Sequence, residues 1–174
     1  MQINLNLKEF EDVKILDMTS GNRAIWFNKK HPLATYIDIR ESVEPDFVMD
    51  STNMSMFSAH TFNLIVFDPP HLNTGKNSNM AKQYGHFTTK EILATIEGCG
   101  REAHRVSKPN ALMAFKWNDH DIKLDRALKL MADCWHPLFG QHLKNRVGSD
   151  SKSQSFWVML LRKDLKGLKA ETDT

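Results

Sequence analysis

Along this chain short apolar runs alternate with polar turns and with stretches of helical period. After a polar lead-in over residues 1–12, Lys14 to Asp17 reads as a first buried strand. Thr19-Ser20-Gly21-Asn22 is a turn, with Asn22 placed to cap a short helix over Arg23 to Asn28 that ends before His31-Pro32. Ala34 to Ile39 is a second strand, Phe47 to Asp50 a third, and Phe62 to Phe67 a fourth and the strongest. Residues 71–87 have the composition of a loop. Thr88 with Glu91 fits a capping box, and Ile92, Leu93, Ile96, Ala103 and Val106 follow a helical period behind it. Lys108-Pro109-Asn110 reads as a turn and Ala111 to Trp117 as a fifth strand. Asp121 to Asp133 reads as an amphipathic helix with Ile122, Leu124, Leu128 and Met131 inward. His136 to Leu143 and Phe156 to Leu161 are two last strands, and residues 164–174 form a polar tail. Alternating strands and helices that end in two adjoining strands predict an α/β sheet with a hairpin at one edge.

Size and composition narrow the picture. The 174 residues hold no repeat, low-complexity tract or Pro/Gly-rich linker, so one domain over residues 1–163 is expected, followed by the tail. An apolar fraction of 41% and a charged fraction of 25% are those of a soluble globular protein. No apolar run is long enough to span a bilayer and the N-terminus lacks a signal-peptide pattern, so a cytoplasmic protein without a membrane partner is expected. Cys99 and Cys134 are far apart with no Cys-x-x-Cys, and the histidines lack ligand spacing, so no metal is expected. The net charge of +2 is too small to announce a nucleic-acid partner. Its distribution says more: residues 71–86 hold Lys76 and Lys82 and no carboxylate.

The chemistry concentrates where Leu64-Ile65-Val66-Phe67 runs straight into Asp68-Pro69-Pro70-His71. Two prolines cannot donate to a sheet ladder, so the strand stops there and the backbone is stiff. A carboxylate, outward carbonyls and a flat ring are thereby fixed at the carboxyl end of a central strand, where open α/β sheets bind ligands. Such parts suit a planar amino group.

Asp68-Pro69-Pro70-His71 closely resembles the Asp/Asn/Ser-Pro-Pro-aromatic signature of S-adenosylmethionine-dependent amino-methyltransferases. Those enzymes methylate exocyclic amino groups, chiefly of adenine or cytosine. The family has Tyr, Phe or Trp where this chain has His71, a smaller and titratable ring. The resemblance covers about residues 13 to 163. It implies a Rossmann-like class I methyltransferase fold: an α/β structure with a mostly parallel seven-stranded sheet and an antiparallel C-terminal hairpin strand. It also implies roles. Asp17 would lie near the methionine moiety of the cofactor, with Ser20, Gly21 and Asn22 shaping the turn against it. Asp38 would hold the ribose, and Asp50, with Ser51 beside it, the adenine amino group. Asp68 would be shared between cofactor and target amine, with the Pro69 carbonyl accepting beside it, Pro70 stiffening the turn and His71 stacking on the base.

The residues themselves bear on the cofactor. Asp38 follows Asp17 by about twenty residues, the spacing at which an acidic residue can reach both ribose hydroxyls. A nicotinamide dinucleotide would use the same geometry, but its pyrophosphate needs more bare backbone N–H groups than the single Gly21 supplies. S-adenosylmethionine has no phosphate. On the substrate side, Lys76 could reach phosphates and Tyr84 could stack; a solvated loop is the plain alternative. Lys116 and Asn118, at the end of the fifth strand, would line the substrate pocket, with Trp117 either beside them or in the core.

The expectation is methyl transfer to an exocyclic amino group of a nucleic-acid base, adenine N6 in DNA ahead of RNA. No separate target-recognition domain is expected after Asp68. Specificity would then be low, or come from a homodimer or a specificity partner, or the substrate would be RNA. Three rivals stand: methylation of a protein amide or small molecule, a non-catalytic binding protein of the same fold, and a nicotinamide-binding module.

Overall fold

A computed structural model describes residues 7–70, 87–143 and 154–164. Seven strands form one sheet in the order β3-β2-β1-β4-β5-β7-β6. They are β1 (Ile15–Asp17), β2 (Ala34–Asp38), β3 (Phe47–Val48), β4 (Phe62–Phe67), β5 (Ser107–Asn118), β6 (Trp135–Leu143) and β7 (Ser155–Arg162). β1 to β5 pair in parallel, whereas β7 runs antiparallel to both β5 and β6. The expected parallel sheet with an antiparallel last strand is therefore what the chain forms.

The helix α1 (Thr89–Val106) starts on the anticipated capping box. The Thr88 hydroxyl accepts from the Glu91 N–H at 3.3 Å and the Glu91 carboxylate accepts from the Thr88 N–H at 2.7 Å, so two otherwise orphaned donors are satisfied. Its buried face, with Ile92, Ile96, Cys99, Ala103 and Val106, joins Met113, Phe115 and Trp117 of β5 in one core cluster. Phe115 lies between Phe67 and Trp117, with ring centroids 5.6 Å from each. Residues 111, 113, 115 and 117 are buried while 112, 114, 116 and 118 are half-exposed, the period of two that a strand imposes. Lys116 therefore leaves the core face and Trp117 enters it.

Three expectations need correction. No helix forms over Arg23 to Asn28; the segment is a series of turns. Six residues are too few to hold a helix by local bonds, and distant partners draw its side chains inward. The Arg23 guanidinium donates to the carbonyls of Lys29 and Glu44 at 2.9 and 2.8 Å and lies 4.1 Å from the Tyr36 ring centroid. Asn22 consequently caps nothing helical. The second long helix is shorter than Asp121 to Asp133: α2 spans Leu124–Leu130. The Ile122 carbonyl is instead taken by the Trp117 indole N–H at 2.9 Å, and Ala127 is the buried residue of the helix. The turn at residues 108–110 is absorbed into β5 as an irregularity. Pairing shifts between Phe62 and Leu64, and Asn110 adopts a left-handed φ of 62°.

Candidate active site

The carboxyl ends of β1, β2 and β4 face a cleft of about 860 Å³ that also runs along α1. That size suits a ligand of nucleoside dimensions. Its wall includes Asp17, Ser20, Gly21, Asn22, Asp38, Asp50, Ser51, Asp68, Pro69, Pro70 and Lys116. Eleven of the residues singled out by sequence thus meet in one place. Asn118 does not line the cleft, and both ends of its amide are engaged, by Ser155 at 2.8 Å and by the His120 N–H at 3.0 Å. Trp117 is wholly buried in the core. His71, Lys76 and Tyr84, like the loop that carries them, lie outside the described residues.

Backbone geometry assembles this wall. The turn after β1 is tied to the two neighbouring strands and to the segment after β3. The Met18 N–H donates to the Val66 carbonyl at 3.0 Å and the Ser20 N–H to the Ile37 carbonyl at 3.0 Å. The Ser51 hydroxyl donates to the Met18 carbonyl. The Thr19 hydroxyl accepts from the Asp68 N–H at 2.8 Å, which fixes the first residue of the Asp-Pro-Pro turn. Gly21 has φ +48°, a conformation that costs a side-chain-bearing residue energy, and this aims its N–H at Asp38.

The carboxylates differ in their partners. Asp17 is 2% exposed; its Oδ1 accepts from the Thr19 N–H at 3.2 Å and its Oδ2 from the Trp26 indole at 2.7 Å. Burial pushes its carboxyl up to about 6, against the pull of those two hydrogen bonds, and the charges of Asp68 and Asp38 add to the push. Asp38 accepts four bonds. Oδ1 takes the Arg40 backbone N–H at 3.0 Å and its Nε at 2.9 Å, while Oδ2 takes the Gly21 N–H at 2.9 Å and Arg40 Nη2 at 3.0 Å. Burial raises this carboxyl, but the Arg40 and Gly21 donors outweigh it and hold Asp38 below the usual range. Asp50 Oδ1 accepts from the Thr52 N–H and hydroxyl, each at 2.8 Å. The half-buried Asp68 accepts from the Lys116 ammonium at 2.5 Å through Oδ2. Lys116 therefore serves the carboxylate first and is not held out toward solvent.

Several wall residues were not singled out from the sequence. Ile39, 68% exposed, presents an apolar side chain at the cleft beside Asp38, and Met49 adds to it. The signal for Ile39 was its place as an apolar residue one step beyond the acidic end of a strand. Trp26 and Thr19 hold Asp17 and Asp68 without any sequence pattern to announce it. The Ser20 hydroxyl is buried with no hydrogen-bond partner among the described residues. Acceptors at Asp38 and Asp50, an apolar wall and this orphaned hydroxyl fit a nucleoside-bearing ligand. Among the described residues, no group of three or more His, Cys, Asp or Glu is placed to hold a metal ion. Nor is any helix among them long and apolar enough to cross a membrane.

Neither a protein-family model nor a curated protein matches this chain. Solved structures do. The PH0226 protein of Pyrococcus horikoshii OT3 aligns with a TM-score of 0.62 at 13% identity, over 90% of this chain and 85% of that one. N-methyltransferase NodS of Bradyrhizobium japonicum WM9, solved with S-adenosyl-L-homocysteine, aligns at 0.59 and 11% identity over 87% and 79%. A 16S rRNA (adenine(1408)-N(1))-methyltransferase variant of Catenulisporales acidiphilia aligns at 0.56 and 10% identity over 94% and 95%. With the strand order and the antiparallel β7, these likenesses establish that the chain adopts the Rossmann-like fold of class I methyltransferases.

Proposed function

We propose that this protein is an S-adenosylmethionine-dependent methyltransferase acting on an exocyclic amino group of a nucleic-acid base, with adenine N6 in DNA as the favoured target. One observation carries the reading: the Asp68-Pro69-Pro70 turn closes β4 inside the same cleft as Asp17, Gly21, Asp38 and Asp50. The likeness to NodS, an N-methyltransferase solved with bound S-adenosyl-L-homocysteine, supports the cofactor. The rRNA adenine methyltransferase among the neighbours supports a base as acceptor, and makes RNA the second reading.

The cofactor supplies a methyl group on a sulfonium, an electrophile that needs no metal. Asp38 would hold its ribose once Arg40 yields, Ile39 would cover its adenine ring, and Asp50 would accept from the adenine amino group. Asp17 and the turn of Ser20, Gly21 and Asn22 would face the methionine portion. An exocyclic amino group is a weak nucleophile because its lone pair is delocalised into the ring. Asp68, with the Pro69 carbonyl, would accept its N–H bonds, favour a tetrahedral nitrogen and stabilise the positive charge that grows as nitrogen takes the methyl and the carbon–sulfur bond breaks. One of the two protons the amine already carried would then pass from the cationic nitrogen to water. Alignment contributes the rest. A base in a duplex must first leave the stack.

The test is transfer of labelled methyl to DNA, RNA and protein acceptors, followed by nuclease digestion to identify the modified base. Label is expected in N6-methyladenine. Asp68→Ala is expected to lower turnover roughly 10²–10³-fold or more while cofactor affinity stays within a few-fold. Near-normal turnover in that variant would sink the mechanism, and label in glutamine side chains would move the acceptor to protein.

A further inference from the structure

Lys116 reaches Asp68 from the adjoining strand. Phe67 of β4 pairs with Phe115 of β5, so one residue further on the two side chains stand side by side at the strand ends. The pair is only about a quarter exposed, 28% for Lys116 and 25% for Asp68, and it lines the cleft. Among the described residues no hydrogen bond runs to Asp68 Oδ1, whereas Oδ2 is taken at 2.5 Å. The Asp68 N–H is already fixed by Thr19, so the lysine completes the restraint on this residue from the side-chain end.

We infer that Lys116 is a positioning and selectivity residue of the methyl-acceptor site: it holds Asp68 Oδ2 so that Oδ1 meets the acceptor, and its charge makes the site take a neutral amino group over a cationic aliphatic amine. This rests on the methyl-transfer reading above. A carboxylate has lone pairs for two donors at once, so the lysine and an amino group can share Asp68. Their charges decide which amino group enters. A nucleobase amine is neutral and loses nothing beside an ammonium. A lysine or polyamine nitrogen is cationic, and hydrogen-bonding to the same carboxylate would set two positive charges within a few ångströms in a partly desolvated cleft. Of the other carboxylates, Asp38 is already paired with Arg40, and Asp17 accepts from Trp26 and Thr19.

The experiment compares the parent chain with Lys116→Met, Lys116→Gln and Lys116→Arg, each checked for folding by thermal melting. Labelled S-adenosylmethionine is offered with an adenine-containing oligonucleotide and, separately, with a lysine-rich peptide. The parent is expected to label the oligonucleotide and not the peptide. Lys116→Met and Lys116→Gln are expected to lose about tenfold or more in kcat with cofactor affinity unchanged, and their preference for oligonucleotide over peptide is expected to narrow about tenfold. Lys116→Arg, which keeps the charge, is expected to recover both. Parental kcat and parental preference in the uncharged variants would overturn the role of Lys116 and leave methyl transfer standing. A parent that prefers the peptide would overturn it as well. A parent that binds the cofactor but labels no acceptor would overturn both readings together.

Discussion

The two ion pairs of the cleft, Asp38–Arg40 and Asp68–Lys116, look alike and are built differently. Asp38 has four donors on two oxygens, three of them from Arg40, and it is nearly buried. Asp68 has one cationic donor on one oxygen, supplied from another strand. The first carboxylate is saturated by its own neighbourhood, so a ribose can be received there only if the guanidinium withdraws. Among the described residues the second has no donor on its other oxygen, so an amine can join there without displacing any of them. If the proposed function holds, cofactor binding includes a local exchange of partners, and acceptor binding does not.

The largest effect that would sharpen this contrast belongs to Asp38. Asp38→Asn keeps the shape and removes the charge. Two hydrogen bonds from ribose hydroxyls to a carboxylate are worth about 1.5–3 kcal/mol each, so affinity for S-adenosyl-L-homocysteine should fall roughly a hundredfold or more by calorimetry. Parental affinity in a folded Asp38→Asn protein would mean that Asp38 serves only to anchor Arg40 and Gly21.

Next is Asp17, which marks the interior side of the same cleft. Its folded value of about 6 lies above the ordinary 3.8, so the folded state holds this proton more tightly than the unfolded chain does. The resulting stability is fully present below about pH 4 and is lost as pH rises through about 6. The gap corresponds to about 3 kcal/mol. Asp17→Asn does not titrate, so urea unfolding should show the variant gaining about 3 kcal/mol relative to the parent between about pH 4 and pH 7. A difference that stays flat across this window would mean that Asp17 is solvated, and the distinction between a desolvated inner carboxylate and the two paired ones would collapse.

How far these features could be read in advance follows from the range of the interactions behind them. The seven strands and the capping box were legible because each depends on contiguous residues: an apolar run, a Pro-Pro stop, a Thr and a Glu three apart. The gathering of Asp17, Asp38, Asp50 and Asp68 was legible because parallel strands carry their carboxyl ends to one side. The helix expected at Arg23 to Asn28 failed because Arg23 and Trp26 answer to Glu44, Tyr36 and Asp17, which are distant in sequence. The partners of the carboxylates were hidden for the same reason. Lys116 meets Asp68 only through the register of β4 on β5, and Thr19 meets it only through the packing of the β1 turn. Asn118 was misjudged by a smaller margin. It shares a face with Lys116, but the antiparallel β7 brings Ser155 opposite it and takes its amide.

The smallest effect is the one that tests the exchange at Asp38 directly. Arg40→Ala removes two side-chain donors and leaves the Gly21 N–H on Oδ2, so Asp38 keeps its charge and regains open lone pairs. The backbone N–H of residue 40 survives the substitution, so two side-chain bonds are lost and one donor remains on Oδ1. Arg40 is partly exposed, with 27% of its side chain open to solvent, which limits what its ion pair is worth to about 1 kcal/mol. A ligand that must break that pair should therefore bind the variant more tightly, by about three- to tenfold, measured as the dissociation constant of S-adenosyl-L-homocysteine. Weaker binding would reverse the inference. It would mean that the guanidinium stays and either orients Asp38 for the ribose or touches the ligand itself, and the two ion pairs would then work by one principle: a cation that holds one side of a carboxylate while the other side receives the ligand.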